Sequence, residues 1–299
     1  MIIIIRKIIN KLKKTVFYIM TSALRISRLN NKFNYRKQIN ENEKAYLYFK
    51  KKYKKIVENN PDVKNTHKYS NIVWWCWLQG EDKAPKLNKS CLNSLKKNLI
   101  DRKIIIIDEK NYTDYINIPQ NIIKKYEKGY IPKAHFSDLI RLELLENYGG
   151  TWIDSSVLCT SYDKNFFDKD LFVFSNWMKN DEAIVCSNWF ITSEVGNPIL
   201  SMTKMLLYKY WEEYDYLVNY YIFHIFFTIS SERYDKAFKS IDKFSNIPPH
   251  ILQFELLEEY NAKRFLQITN MSSIHKLTQK INGNNDDKLT YYKYIIENY

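Results

Sequence analysis

Ser137, Asp138 and Arg141 stand within about one helical turn of each other, and Asp154 follows soon after with Ser155 and Ser156 behind it. A carboxylate and a guanidinium at i and i+3 lie side by side on a helix. Such a pair can bind hydroxyls and phosphate oxygens, or it can be a partly buried ion pair that only orients its helix. An aspartate with oxygen-bearing neighbours can hold a hard divalent cation. Other chemistries lack their parts: the chain has no Gly-x-Ser-x-Gly, no P-loop and no metal-binding histidine pair, which argues against a hydrolase, a kinase or a zinc enzyme.

The elements that must position these residues can be read from periodicity. Leu139, Leu142 and Leu145, widened by Ile140 and Leu144, form the apolar face of a helix that carries Asp138 and Arg141. Gly149 and Gly150 end it, and Thr151-Trp152-Ile153 has the bias of a strand. Asp154 therefore falls at a strand end, where α/β folds place their ligands. Upstream, the apolar run from Asn71 to Gly80 suits a buried parallel strand, Pro85 to Asn98 a helix, and Lys103 to Asp108 a second strand, which together make a right-handed βαβ unit. Trp77, Gln79 and Gly80 close the first strand, where an aromatic face can stack on a base and backbone groups can bind it. Weak helices follow around residues 111–115 and 121–128. Further on, strands are expected over Leu171–Ser175 and Ala183–Ile191. The second carries Asn188 and Trp189, either as ligand contacts or as buried structural residues. A helix runs from Pro198 through Trp211, the aromatic segment Tyr216–Ile229 has helical spacing that suits core packing, with His224 in it an alternative functional histidine, and Tyr291–Tyr299 forms a short helix. The fold class is α/β, a mixed sheet flanked by helices with a helical N-terminal extension.

The formal charge of +13 is unevenly placed. Residues 1–60 hold 16 Lys+Arg against 3 Asp+Glu, and the remainder holds 30 of each. A neutral body offers no broad basic surface for a phosphate backbone, so nucleic acid is not an expected partner. Met1 to Met20 has apolar residues at helical spacing interrupted by five basic ones, too charged to span a bilayer or to form a signal-peptide core. It reads as a basic amphipathic helix that lies on an anionic membrane surface, or as a solvated helix packed on the body. Residues 40–59 continue helical and basic, Pro61 ends them, and 62–70 read as a linker. The expected organisation is an extension over 1–69 and a domain over 70–299. Four dispersed cysteines without a CxxC suit a reducing compartment.

Several of these segments together carry a resemblance: Val73-Trp-Trp-Cys-Trp-Leu-Gln-Gly, Ala84-Pro85, Cys91-Leu-Asn-Ser, Ile131-Pro-Lys-Ala-His-Phe-Ser-Asp-Leu-Ile-Arg, Tyr148-Gly-Gly-Thr-Trp-Ile-Asp, Ser187-Asn-Trp-Phe-Ile and His275-Lys-Leu-Thr. Over residues 70–280 the chain resembles the bacterial capsular polysaccharide synthesis glycosyltransferases, relatives of the DXD-sugar transferases. The resemblance implies a GT-A-like fold, a nucleotide-diphosphate sugar as donor, a glycan or lipid-linked glycan as acceptor, retention of anomeric configuration, and a divalent cation, Mn²⁺ or Mg²⁺. It assigns Asp154, Asp138 and Arg141 to catalysis. Trp77, Gln79, Gly80, Ser137, Asp138, Arg141, Asn188, Trp189 and Lys276 are assigned to the donor, with Lys280 a weaker candidate beside Lys276. Asp154, Ser156 and His275 are assigned to the metal. Ser156 stands where the second carboxylate of the DXD pattern is expected. The implied setting is peripheral, on the inner face of the cell membrane. A protein of the same fold that only binds nucleotide-sugar or glycan, and a sugar-phosphate transferase, are the alternatives.

Overall fold

The computed structural model describes residues 31–61, 66–176, 181–279 and 288–299. Lys280 and the basic stretch 1–30, with its expected membrane contact, lie outside the described residues. Helices α1 (Asn31–Lys52) and α2 (Lys54–Asn59) come first. They are followed by β1 (Ile72–Cys76), α3 (Lys86–Asn98), β2 (Lys103–Ile107) and α4 (Gln120–Glu127). The centre of the chain is α5 (Lys133–Tyr148), β3 (Gly150–Asp154) and the short β4 (Val157–Cys159). Next come β5 (Leu171–Ser175), β6 (Cys186–Ser193), α6 (Pro198–Glu213), α7 (Ile222–Arg233), α8 (Asp235–Ser240) and β7 (Phe244–Ser245). The chain closes with α9 (Ile247–Phe254), α10 (Ala262–Met271), β8 (Ile274–Lys276) and α11 (Tyr291–Asn298).

Six strands form one sheet in the order β2-β1-β3-β6-β5-β7. β1 pairs in parallel with both β2 and β3, while β6 runs antiparallel between β3 and β5. The expected βαβ unit is therefore present, and the fold is the mixed α/β sheet flanked by helices expected of a GT-A-like protein.

Side-chain alternation explains why these strands read as continuous apolar runs. In β1, Trp74 and Cys76 join the core beneath α5, α6 and α7, whereas Val73 and Trp75 face α3 with Leu92 and Leu95. β3 splits the same way, Trp152 to one layer and Ile153 to the other. A strand covered on both faces has no polar side to show. Trp74 and Trp75 are fully buried, as their place in the run implied.

A second, two-stranded sheet pairs β4 antiparallel with β8. It sits over a third core, where Leu87 and Cys91 of α3 meet Leu252, Ile268 and Ile295 of the C-terminal helices. Among the described residues no helix is long and apolar enough to cross a membrane.

Candidate functional site

The turn from α5 into β3 is set by two glycines. Gly149 has φ +64° and Gly150 φ +89°, the left-handed region that side chains avoid. A Cβ on Gly150 would come within 2.4 Å of the Ile72 carbonyl oxygen, so only glycine lets β3 start this close to β1. Trp74 Nε1 donates to the Gly149 carbonyl at 2.9 Å and pins the turn. The parallel register then places Asp154 level with Cys76, at the C-terminal edge of the sheet.

A cavity of about 370 Å³ opens at that edge. Trp77 and Gln79 line it from the end of β1, and Ser137, Asp138 and Arg141 from α5. Asp154, Ser155 and Ser156 enter from the end of β3, and Asn188 from β6. Most of the expected site is thus brought together. Because β6 is antiparallel, its first residues lie beside the last of β3, and this carries Asn188 to the cavity.

Arg141 is the hub. Its Nη2 lies 3.3 Å from both Asp138 Oδ1 and Asp154 Oδ1, and its Nη1 donates to the Asn188 carbonyl. The guanidinium carbon stands 4.8 Å from the Trp152 ring centre and 5.6 Å from that of Phe223. A planar cation with five donors suits this forked environment. Asn188 Nδ2 donates to Asp138 Oδ1 at 3.1 Å. Asp154 also accepts from Trp152 Nε1 at 2.9 Å and from Lys276 Nζ at 2.8 Å.

The two aspartates are held in different states. Burial pushes the Asp138 carboxyl up to about 7, outweighing the pull of Arg141. For Asp154, burial acts in the same upward direction, but Lys276, Arg141 and the Trp152 indole together bring its carboxyl below the usual range. At neutral pH Asp154 is a carboxylate, and Asp138 is poised between acid and carboxylate.

Two further histidines line the cavity, of which His135 was not assigned to it from sequence. His135 lines it with both ring nitrogens lacking a hydrogen-bond partner among the described residues, and its Nδ1 is 3.6 Å from Asp138 Oδ2. His224, read from sequence mainly as core, lines it from α7. Burial, and after it Arg141, lowers both imidazoles, to about 4 for His135 and about 3 for His224, so both are neutral. Trp77 Nε1, on the same wall, also lacks a partner among the described residues. The spacing Ile131-Pro-Lys-Ala-His places His135 one turn before Asp138, a signal that could have found it.

Other expected residues are placed elsewhere. Trp189 is buried and stacked on Phe174 at 4.7 Å, the structural alternative. Gly80 ends a tight turn, its N–H donating to the Trp77 carbonyl, and does not line the cavity. His275 is fully buried, with Nε2 3.3 Å from Thr160 Oγ1.

The metal set expected of Asp154, Ser156 and His275 is not assembled. Neighbouring residues of a strand point to opposite faces. On β8, Lys276 reaches the site and His275 turns away into the core. Lys276 Nζ donates to Ser156 Oγ at 2.9 Å as well as to Asp154, so the two remaining candidate ligands share one ammonium. Among the described residues, the grouping that offers three metal-ligand side chains is His67, Asp170 and Glu194, at the opposite edge of the sheet. These side chains do not fit a divalent cation bound at Asp154.

Sheet order, a carboxylate at the end of a central parallel strand and a polar cavity beside it define an α/β protein with a ligand site at the strand ends. The chain belongs to the capsular polysaccharide synthesis family, whose sequence model, described as capsular polysaccharide synthesis protein, matches residues 24–295. The match begins well before the motifs, taking in α1 and α2. No curated protein matches the chain. Among solved structures it is similar to the PaToxG glycosyltransferase at 15% identity, over 88% of this chain and 96% of that one, with a TM-score of 0.38.

Proposed function

We propose that this protein is a glycosyltransferase that moves a sugar from a nucleotide-diphosphate sugar to a growing capsular or other cell-surface glycan, working as a peripheral protein on the inner face of the membrane. The observation that carries the reading is the Asp138–Arg141–Asp154 cluster at one edge of a polar cavity, in a chain of the capsular polysaccharide synthesis family. The donor's base lies along Trp77, with Gln79 at the rim. Its sugar hydroxyls meet Asp138 and Asn188, and its diphosphate meets Arg141. In the transfer, the bond from the anomeric carbon to the β-phosphate oxygen breaks and its electron pair leaves with the diphosphate. The acceptor hydroxyl oxygen bonds to the anomeric carbon, and its proton passes to a diphosphate oxygen. Attack from the face of the departing group retains configuration. Fixed cationic and hydrogen-bonding groups aimed at the developing charge supply the stabilisation.

Asp154→Asn is expected to abolish release of nucleotide from the matching nucleotide-sugar while leaving the melting temperature nearly unchanged. Near-native turnover in the folded variant would remove Asp154 from catalysis. A panel of nucleotide-sugars, compared by thermal stabilisation, identifies the donor; a ligand at 100 times its dissociation constant stabilises the fold by about 2.7 kcal/mol. Ser156, standing where a second carboxylate is expected, favours one competing reading, a protein that binds nucleotide-sugar without turning it over. Stabilisation without nucleotide release is the result that would select it. Release of nucleoside monophosphate in place of diphosphate would indicate sugar-phosphate transfer.

A further inference from the structure

The mismatch between the cavity and a divalent cation points to what does the cation's work. We propose that the Lys276 ammonium, together with the Arg141 guanidinium, is the built-in counter-charge for the donor diphosphate, so that this site binds its nucleotide and releases the diphosphate without a divalent metal. The proposal rests on the reading of the cavity as a nucleotide-sugar site and specifies how that site handles charge.

Four observations carry it. Lys276 Nζ touches both Asp154, at 2.8 Å, and Ser156, at 2.9 Å, so it occupies the crook that a DXD pair would offer a metal. Its position is built into the backbone: Lys276 pairs with Val157 across the β4–β8 ladder, and Leu277 N–H donates to the Ser156 carbonyl at 2.8 Å. Its side chain is 19% accessible, and both groups it touches, Asp154 and Ser156, line the cavity. Finally, Asp154 already faces two cations, Lys276 and Arg141, whose charges sum to that of one divalent ion. A metal added there would meet two like charges, with Asp154 already shared between them and Asp138 already paired with Arg141, whereas hard divalent ions bind carboxylates free to coordinate them. Ser156 then has a reason: a second aspartate would tie down the ammonium that the diphosphate needs, and a hydroxyl orients it without neutralising it.

In the transfer step the electron pair of the broken C–O bond arrives on the β-phosphate. Lys276 donates hydrogen bonds to those oxygens and keeps its proton, and the acceptor proton still goes to the diphosphate.

The test uses the full chain and a panel of UDP, GDP, ADP, CDP and TDP, titrated calorimetrically in EDTA and again with Mn²⁺. The recognised diphosphate should bind equally well in both. Lys276→Ala should weaken binding in EDTA at least tenfold, about 1.4 kcal/mol, while Lys276→Arg, which keeps the charge, should stay within a few-fold of the parent. Melting curves report whether each variant folds, and Lys276→Met, which keeps the aliphatic stem, replaces an alanine variant that does not. Binding that requires Mn²⁺, or that is unchanged in folded Lys276→Ala or Lys276→Met, overturns the proposal and leaves the glycosyltransferase reading standing. Failure of every diphosphate under both conditions overturns both.

Discussion

Asp138 shows how much of the site follows from the setting of single residues. Its carboxyl, raised to about 7 by burial, holds a proton in the folded chain at pH values where the unfolded chain has lost it. That contribution to stability is fully present below the unfolded value near 4 and is lost as pH rises towards 7. The neutral imidazoles of His135, His224 and His275, lowered to about 4, 3 and 4, act with the opposite sign. They favour the fold above about 6.5 and weaken it as the solution is acidified. Asp138→Asn removes only the first effect. The stability of the variant relative to the parent should therefore improve steadily between pH 4 and pH 7, measured by urea unfolding; a difference that does not change with pH would place the Asp138 carboxyl in the ordinary range. The spacing of Asp138, Arg141 and Asp154 made them legible in the sequence, because helix periodicity and a glycine stop fix which side chains converge. Lys276 and His275 were legible only as a pair of candidates. Which one meets Asp154 depends on the facing of a strand three residues long, and alternation cannot be seen in so short a run.

Among the elements, those with long periodic patterns were read close to their observed bounds. The helix read from Pro85 to Asn98 is α3, and that expected from Pro198 to Trp211 is α6, extended by two residues. The aromatic segment read as helical from Tyr216 begins its helix only at Ile222, leaving Tyr220 exposed beside the cavity, because the turn before it is held by the Asn219 side chain accepting from the Tyr221 N–H. The β4–β8 ladder went unseen, since its two halves lie over a hundred residues apart and neither alternates visibly. The joint between α5 and β3 is the element most sensitive to substitution. Gly150→Ala must move the Ile72 carbonyl or the strand itself, and adds the strain of φ +89°. A loss of about 2 kcal/mol or more is expected, with activity falling further than stability because Asp154 is carried by the same strand. A Gly150→Ala protein with parental melting and turnover would show that the turn tolerates a side chain. By contrast, Asn197 caps α6 by accepting from the Ile199 and Leu200 N–H groups, far from the cavity. Asn197→Ala should cost about 1 kcal/mol and leave the Michaelis constant unchanged.

For the molecule as a whole, the N-terminal sequence divides into two parts by composition. α1 and α2 belong to the main core: Phe49 and Tyr53 are buried against Tyr210 of α6 and Phe226 of α7. Phe49→Ala is expected to destabilise the protein by about 3–5 kcal/mol. Part of the charge of the described helices is met within the protein. Lys50 pairs with Glu232, Lys52 with Glu213, Lys37 with Glu41 and Lys54 with Glu58. Residues 1–30 are different in composition, with seven Lys+Arg and no Asp+Glu, and beyond residue 60 the chain is neutral. Attraction to an anionic surface, about 1 kcal/mol per basic residue close to it, is expected of the first thirty residues, where no acidic residue offsets the basic ones. A chain beginning at residue 31 should keep the parental melting temperature, because Phe49 and Tyr53 are retained, and should lose co-sedimentation with phosphatidylglycerol-containing vesicles. Full-length protein should bind those vesicles and be released by raised salt, as screening shortens the reach of surface charge. Retention of the shortened chain on the vesicles would move the membrane contact from the basic stretch to the body.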